Sequence, residues 1–477
     1  MCKRNKKILA AAGVLLLGLA ACRIPAAIEK PVQHNLPASY NGSQDSTNIA
    51  AFSWRTWFKD PMLVTLIDSA LSNNQELNIV LQEIEISRNE IRARKGEYLP
   101  FVGLKAGAGL EKVGRYTSQG AGDATTEIEP GKEMPDPLPD FLVGAYATWE
   151  ADIWHKLHNA SKAAVARYLS TIEGKNFVVT TLIAEIANSY YELLALDKQL
   201  EIINQNIVIQ NNALEIVKVQ KDATRVTELA VRKFEAEVLK TKSLQYDIQQ
   251  RITETENRIS FLTGHFNGHI PRKAETFDQE LPAVIQAGIP AQLLNNRPDI
   301  RQAELALKAA KLDVKVARAQ FYPSLGFSAG VGYNAFSPAY LFRTPASLLY
   351  SIGGELAAPL VNRNAIKAAY NSANAKQVQA VYSYEQTVLH AYIEVANQLA
   401  NIGNLDKSYT LKHQQVDKLV QSIDISNDLF AAARADYMEV LLTQRDALES
   451  KMELVETRKQ QWNAMINIYQ ALGGGWN

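Results

Sequence analysis

The side chains that could carry chemistry in this chain are few: two histidine pairs, two glycine-rich phrases and a cysteine near the N-terminus. His265 and His269 stand four apart, a spacing that on a helix would turn two imidazoles toward one metal ion. The HFNGH segment contains Asn267 and Gly268 and follows a helix end at Thr263 and Gly264, so that geometry is not expected. No carboxylate or cysteine completes a ligand set nearby in sequence. His155 and His158 fall where a strand gives way to a helix and read as interfacial polar packing. Gly107 and Gly109, like Gly330 and Gly332, lie inside alternating stretches and do not directly precede a helix, which removes the nucleotide-loop reading. Carboxylates are spread along helical faces, where a solvated charge is the default. The expectation is a protein with no catalytic constellation, no metal site and no cofactor, and therefore not an enzyme.

The cysteine is different. MCKRNKKILAAAGVLLLGLAAC has a basic start, an apolar run from Ile8 to Ala21 and a small-residue processing site, the pattern of an export signal. Its end, Leu19-Ala20-Ala21-Cys22, resembles the bacterial lipobox, in which the cysteine is acylated and becomes the new N-terminus. Cys2 leaves with the signal, so Cys22 has no disulfide partner. Arg23 follows, where an aspartate in many bacteria retains lipoproteins in the inner membrane, and delivery to the outer membrane is favoured.

Charge is balanced, with 50 Lys plus Arg against 50 Asp plus Glu, and nothing suggests a nucleic-acid footprint. Losing Lys3, Arg4, Lys6 and Lys7 with the signal leaves the mature chain slightly acidic. Beyond the signal there is no apolar run of the roughly 18 residues that marks a transmembrane helix. Any crossing of a membrane must use strands.

Strand periodicity is written twice. YLPFVGLKAGAG (98–109) and FYPSLGFSAGVG (321–332) share a proline, an alanine and three glycines at matching places. In the first, Val102, Leu104, Ala106, Ala108 and Leu110 oppose Phe101, Gly103, Lys105, Gly107 and Gly109; in the second, Leu325, Phe327, Ala329, Val331 and Tyr333 oppose Ser324, Gly326, Ser328, Gly330 and Gly332. Each is followed by a loop, 118–140 or 334–345, and by a second alternating stretch, 141–153 or 347–360. Alternation alone fits two hairpins of a soluble sheet as well as strands of a barrel. The lipobox and the acidic, Pro- and Gly-rich first loop favour the barrel.

The remainder is helical on a heptad. Val165, Ile172, Val179, Ile186, Leu193, Leu200, Ile207 and Leu214 recur every seven residues, as do Val381, Val388, Val395, Ile402, Tyr409, Val416, Ile423 and Phe430. Shorter partners follow, carrying Val231, Val238, Ile252 and Ile259, and Leu441, Leu448, Val455, Trp462 and Tyr469. Two antiparallel helical hairpins are expected, turning near 221–228 and 433–440, with a first helix of roughly 90 Å. Short helices precede each strand pair, opened by Asp60-Pro61 and by Arg297-Pro298-Asp299.

This organisation predicts residues 1–21 as signal peptide, 22–56 as an acylated extended linker, 57–270 and 290–477 as two repeats, and 271–289 as the linker between them. Four strands cannot close a membrane barrel, and an open edge in lipid leaves backbone groups unsatisfied. Two copies would give eight strands, with an interior filled by side chains; three give twelve and a lumen. The expected fold is thus an α+β membrane protein built on an internal two-fold repeat, in which copies of the chain share one barrel with four strands from each.

WFKDPMLVTLIDSALSNNQEL (57–77), WEADIW (149–154), LLNNRPDIRQAE (293–304) and IYQALGGGW (468–476) resemble the opening helices, second-strand exit, central signature and C-terminal ending of the TolC-type outer-membrane factors, in the lipoprotein branch that serves resistance-nodulation-division efflux pumps. The resemblance covers nearly all of the mature chain. It implies a homotrimer in outer-membrane lipid, a trimeric 12-stranded β-barrel continuous with a 12-helix periplasmic α-barrel, that serves as a passive exit duct for drugs, toxic compounds or metals. An inner-membrane efflux transporter would supply these through a periplasmic adaptor, or membrane fusion, protein. A type I protein-secretion exit uses the same architecture, and a periplasmic structural coiled-coil lipoprotein is the alternative of another class.

By the same resemblance, Asp222, Arg225, Asp436 and Tyr437 occupy the adaptor-facing tips, and Phe430, Leu442 and Arg445 the constriction. This chain has Ala433 where the family carries a tip-turn glycine, and His155 where a glycine follows the strand exit. Leu442 stands where many relatives place an aspartate. Closure is therefore expected to rest on apolar packing, helped by Arg445 pairing with a carboxylate of the adjacent helix.

Mass spectrometry of the mature N-terminus should find an acylated peptide beginning at Cys22; an unmodified peptide beginning elsewhere would overturn the assignment. Cys22→Ala should disturb delivery more than folding, because two or more acyl chains provide the anchor.

Overall fold

The computed structural model describes residues 24–476 apart from 27, 29, 33–35, 41–45, 267, 274–276, 279, 280, 282–285, 360 and 433. Cys22, the signal segment, Ala433 and much of the expected inter-repeat linker lie outside the described residues. In chain order the principal elements are α1 (Pro61–Asn73), α2 (Gln75–Glu97), β1 (Phe101–Glu111), β2 (Leu138–Ala151), α3 (Lys156–Asp222), α4 (Glu228–Leu262), α5 (Pro298–Ala319), β3 (Ser324–Ala335), β4 (Leu348–Ala357), α6 (Asn364–Ala431) and α7 (Tyr437–Ala471). The order helix, strand, strand, long helix, shorter helix occurs twice, as the repeat requires.

The chain packs as two compact units that cut across that repeat. One gathers Glu85–Leu169 and Leu305–Tyr382 with the described residues up to Pro31; the other gathers Val32–Ile84, Ser170–Glu304 and Ser383–Asn477. Each unit draws on both halves of the sequence.

The first unit holds a four-stranded antiparallel sheet in the order β1-β2-β3-β4, so the hairpins of the two halves join edge to edge at β2 and β3. The register puts the alternating apolar residues of all four strands on one face. Leu104 lies opposite Ala145, which lies opposite Val331, then Tyr350; Val102, Ala147, Ala329 and Ile352 form the next row. The other face carries Gly103, Tyr146, Gly330 and Ser351 in one row, and Lys105, Gly144, Gly332 and Leu349 in another. Residues directly opposite share a face of the pleat, so one register satisfies four separate alternations. Leu104 is 87 % exposed and Ile352 89 % exposed, both on edge strands.

The seam between β2 and β3 needs glycine. A Cβ on Gly332 would come within 2.5 Å of the Val143 carbonyl oxygen and 2.7 Å of the Gly144 Cα, and one on Gly144 within 2.8 Å of the Val331 oxygen. Gly103 is covered instead by the Tyr146 ring, 2.8 Å from where its Cβ would stand.

The strand ends differ by a few residues from those expected. β2 stops at Ala151, before Asp152 and Ile153, because the Asp152 carboxylate is taken up in capping α3. β4 stops at Ala357, ahead of Pro359, which has no N–H to give to a ladder. Among the described residues no helix is long and apolar enough to cross a membrane.

In the second unit the heptads meet as anticipated: Ile186, Leu193, Val395, Val381's successor Val388, Ile259 and Tyr469 are all buried. α1 starts where Asp60 caps the Met62 N–H, with Pro61 at the first helical position. The other Asp60 oxygen accepts the Tyr190 hydroxyl at 2.7 Å, deep in the same core. Burial, and then that carboxylate, push the Tyr190 phenol above its ordinary range.

Arg297 is the second polar anchor. Its buried guanidinium forks onto Asp299, reaches Glu394 at 2.7 Å and donates to the Ala471 carbonyl at 2.8 Å, at the end of α7. Burial works against its charge, but Asp299 and Glu394 more than offset that and raise its pKa.

Gly332→Ala should cost about 1–3 kcal/mol, because the backbone of β2 must shift to admit a methyl group. Gly107→Ala, with nothing within 4 Å of the added carbon, should stay within about 0.5 kcal/mol. Denaturation midpoints of the detergent-extracted protein check the difference.

Candidate functional site

Two groups of residues stand out: the helical turns of the second unit, and the strand-to-helix exit of the first. Both turns pack on one apolar cluster built from Leu214, Val217, Val231, Phe234, Val440 and Leu441. The α3–α4 turn is set by a left-handed Thr224, with φ 60°, and by the Arg225 N–H donating to the Gln220 carbonyl. Thr227 and Asp436 sit at the N-cap positions of α4 and α7, yet neither side chain makes the capping hydrogen bond. Asp222 and Arg225 are exposed, with Lys221 3.7 Å from Asp222 and 3.5 Å from Glu228.

The residues expected at the tips and constriction divide into two sets. Phe430 and Tyr437 are half-buried and pack on the apolar cluster, so they hold the turn together. Leu442, 41 % exposed, and Arg445 lie three apart on the open side of α7, beside the buried Leu441 and Gln444. Within one chain Arg445 pairs with Asp446 of its own helix, at 3.0 Å.

The histidine pairs also separate. His265 Nε2 lies 3.0 Å from the Ser69 hydroxyl, while His269 pairs with Glu256 at 3.2 Å, so a carboxylate does stand beside this segment in space; Arg272 also binds it. α4 ends at Leu262, before both rings.

His155 and His158, by contrast, come together with Asp152. Asp152 accepts the N–H of Leu157 at 3.0 Å and that of His158 at 2.8 Å, and its Oδ2 is 2.6 Å from His158 Nδ1. Burial disfavours its charge, but these three donors outweigh burial and hold the carboxyl below the usual range. Tyr98 stacks on His158, with centroids 4.4 Å apart. Spacing alone hid this cluster, because Asp152 belongs by pattern to the strand; the signal was the D-x-x-H-x-x-H run at a strand end.

A family model described as outer membrane efflux protein matches residues 66–265 and 289–474. The chain is similar to the pyoverdine export outer membrane protein OpmQ of Pseudomonas aeruginosa, 28 % identical over 435 residues, covering 91 % of this chain and 89 % of that one. It is similar to the cation efflux system protein CusC of Escherichia coli O6:H1, 27 % identical over 465 residues, covering 96 % and 97 %. In fold it matches the open state of the Neisseria gonorrhoeae MtrE outer membrane channel, with a TM-score of 0.82 at 22 % identity, covering 95 % of this chain and 98 % of that one.

Phe430→Ala should cost roughly 1–3 kcal/mol of stability, since it opens the cluster under the turn. Arg445→Ala, which removes an exposed pair, should cost under about 1 kcal/mol. Thermal unfolding of the two variants separates residues that build the tip from residues that line its open side.

Proposed function

The chain belongs to the outer membrane efflux protein family, and from that premise we propose that three copies close their sheets into one 12-stranded barrel in the outer membrane, leading from a 12-helix periplasmic barrel. The observation that carries this reading is the sheet: four strands in one register, an exposed apolar face and an unpaired edge at β1 and at β4. Lipid suits the apolar face, and it leaves edge N–H and C=O groups without partners unless strands of another copy supply them. Two copies would fill the interior with side chains, whereas three leave a lumen.

The duct is passive. An inner-membrane transporter, through a periplasmic adaptor, delivers small molecules to it, and Asp222, Arg225, Asp436 and Tyr437 form the surface the adaptor meets. The family resemblance supports this assignment, as do the exposed, mutually paired charges of the α3–α4 turn. Leu442 and Arg445 face the narrow end of the lumen, and Phe430 backs them from the packed side. The cargo is not set by overall likeness, since relatives named for pyoverdine and for cations resemble this chain to nearly the same degree.

The test is single-channel conductance in planar bilayers. Leu442→Asp puts three like charges in one ring, where a restricted opening of low effective dielectric amplifies their repulsion. Conductance and vancomycin sensitivity of cells should both rise. Unaltered conductance would move the constriction away from Leu442, and a monomer mass for the detergent-extracted protein would overturn the shared barrel itself.

A further inference from the structure

The tip, the lumen face and the lipid face account for most of the exposed features, but not for the exit from β2. There Asp152, His155 and His158 bring one ligand atom each within 4.8 Å of one another. We propose that these three side chains bind a divalent transition-metal ion of the Zn²⁺ or Cu²⁺ type, which clamps the end of β2 to the first turn of α3.

The chemistry of the set fits that class. Two imidazole nitrogens and one carboxylate oxygen leave a fourth position for water, and imidazole selects zinc, copper and nickel over calcium or magnesium. Metal–ligand bonds of about 2.0–2.2 Å place neighbouring ligand atoms roughly 3.3–3.5 Å apart in a tetrahedral site. From the observed spacing this takes a rotation of His155, a parting of Asp152 from His158 by under about 1 Å, and release to solvent of the proton shared between them.

Two of the three ligands are already held. Asp152 is fixed by two backbone N–H donors, and His158 by that carboxylate and by the Tyr98 ring against it. The cationic neighbour Lys156 is neutralised by Glu150 at 2.5 Å, so it does not oppose a second positive charge.

Helix capping explains Asp152, and stacking explains His158. Neither explains His155. Its backbone is left-handed, with φ 55°, a conformation glycine adopts without penalty, and its ring is exposed. The ring contact it makes is an edge-on one to His158, with centroids 6.0 Å apart. A third ligand is the role that this residue type, in this place, can serve.

The protein is purified full length in detergent without a polyhistidine tag, stripped with chelator and titrated with Zn²⁺ by calorimetry and with Co²⁺ by visible absorption. Wild type should bind one ion per chain at this site, unfold several degrees higher when saturated with Zn²⁺, and give the intense visible bands of four-coordinate Co²⁺. His155→Gly removes a ligand where the backbone favours glycine, so its metal-free unfolding temperature should equal or exceed that of wild type. Its Zn²⁺ affinity should fall at least tenfold, as should that of His158→Gln. A smaller loss in His155→Gly, or no Zn²⁺-dependent rise in the wild-type unfolding temperature, would overturn the site. None of these readouts depends on conductance or trimer closure, so the site and the duct stand or fall separately.

Discussion

Hydrocarbon offers no hydrogen-bond partner to a peptide group, and the sheet of this chain is built under that constraint. The sheet of one chain pairs its strands internally at three junctions and leaves β1 and β4 each with one unpaired row. In water such edges are tolerable; in lipid each unsatisfied group costs several kcal/mol. The chain registers its apolar side chains on one face and keeps an open edge on either side, the two features on which the proposed shared barrel rests. The close approach at Gly144 and Gly332 is made at the internal junction, where the two halves of the sequence meet.

Away from the sheet, stability comes from a different source. The second unit buries its heptad residues and ties them with polar anchors, Asp60 with Tyr190 and Arg297 with Asp299 and Glu394. Breaking a buried ion pair by removing one partner costs about 3–5 kcal/mol, while the pair as a whole contributes little. These anchors therefore specify where chain segments meet more than they add to the total. Arg297 gathers the start of α5, the middle of α6 and the last residue of α7, segments far apart in sequence.

The tip follows neither rule strictly. Its apolar cluster is small, its turn relies on a left-handed Thr224, and two N-cap side chains leave their helices uncapped. Such a site is easily rearranged, because few contacts must break. Within it Phe430 and Tyr437 carry the packing, while Leu442 and Arg445 lie exposed.

The sequence by itself determined the periodicities. Alternation marked all four strands, heptads marked the long helices, and Asp60-Pro61 and Arg297-Pro298-Asp299 marked two helix starts, because each of these is a local consequence of backbone geometry. It also carried enough motif to show the family. It did not reveal that Arg297 is a buried hub, that Arg445 pairs within its own helix, or that Asp152 leaves the strand to meet His155 and His158. Periodicity reports which face a residue occupies, not which distant group shares that face. The order β1-β2-β3-β4, and with it the single register that aligns four separate apolar stripes, was settled by tertiary structure, because strand pairing between halves of a repeat depends on close backbone approach at Gly144 and Gly332 and on no local signal.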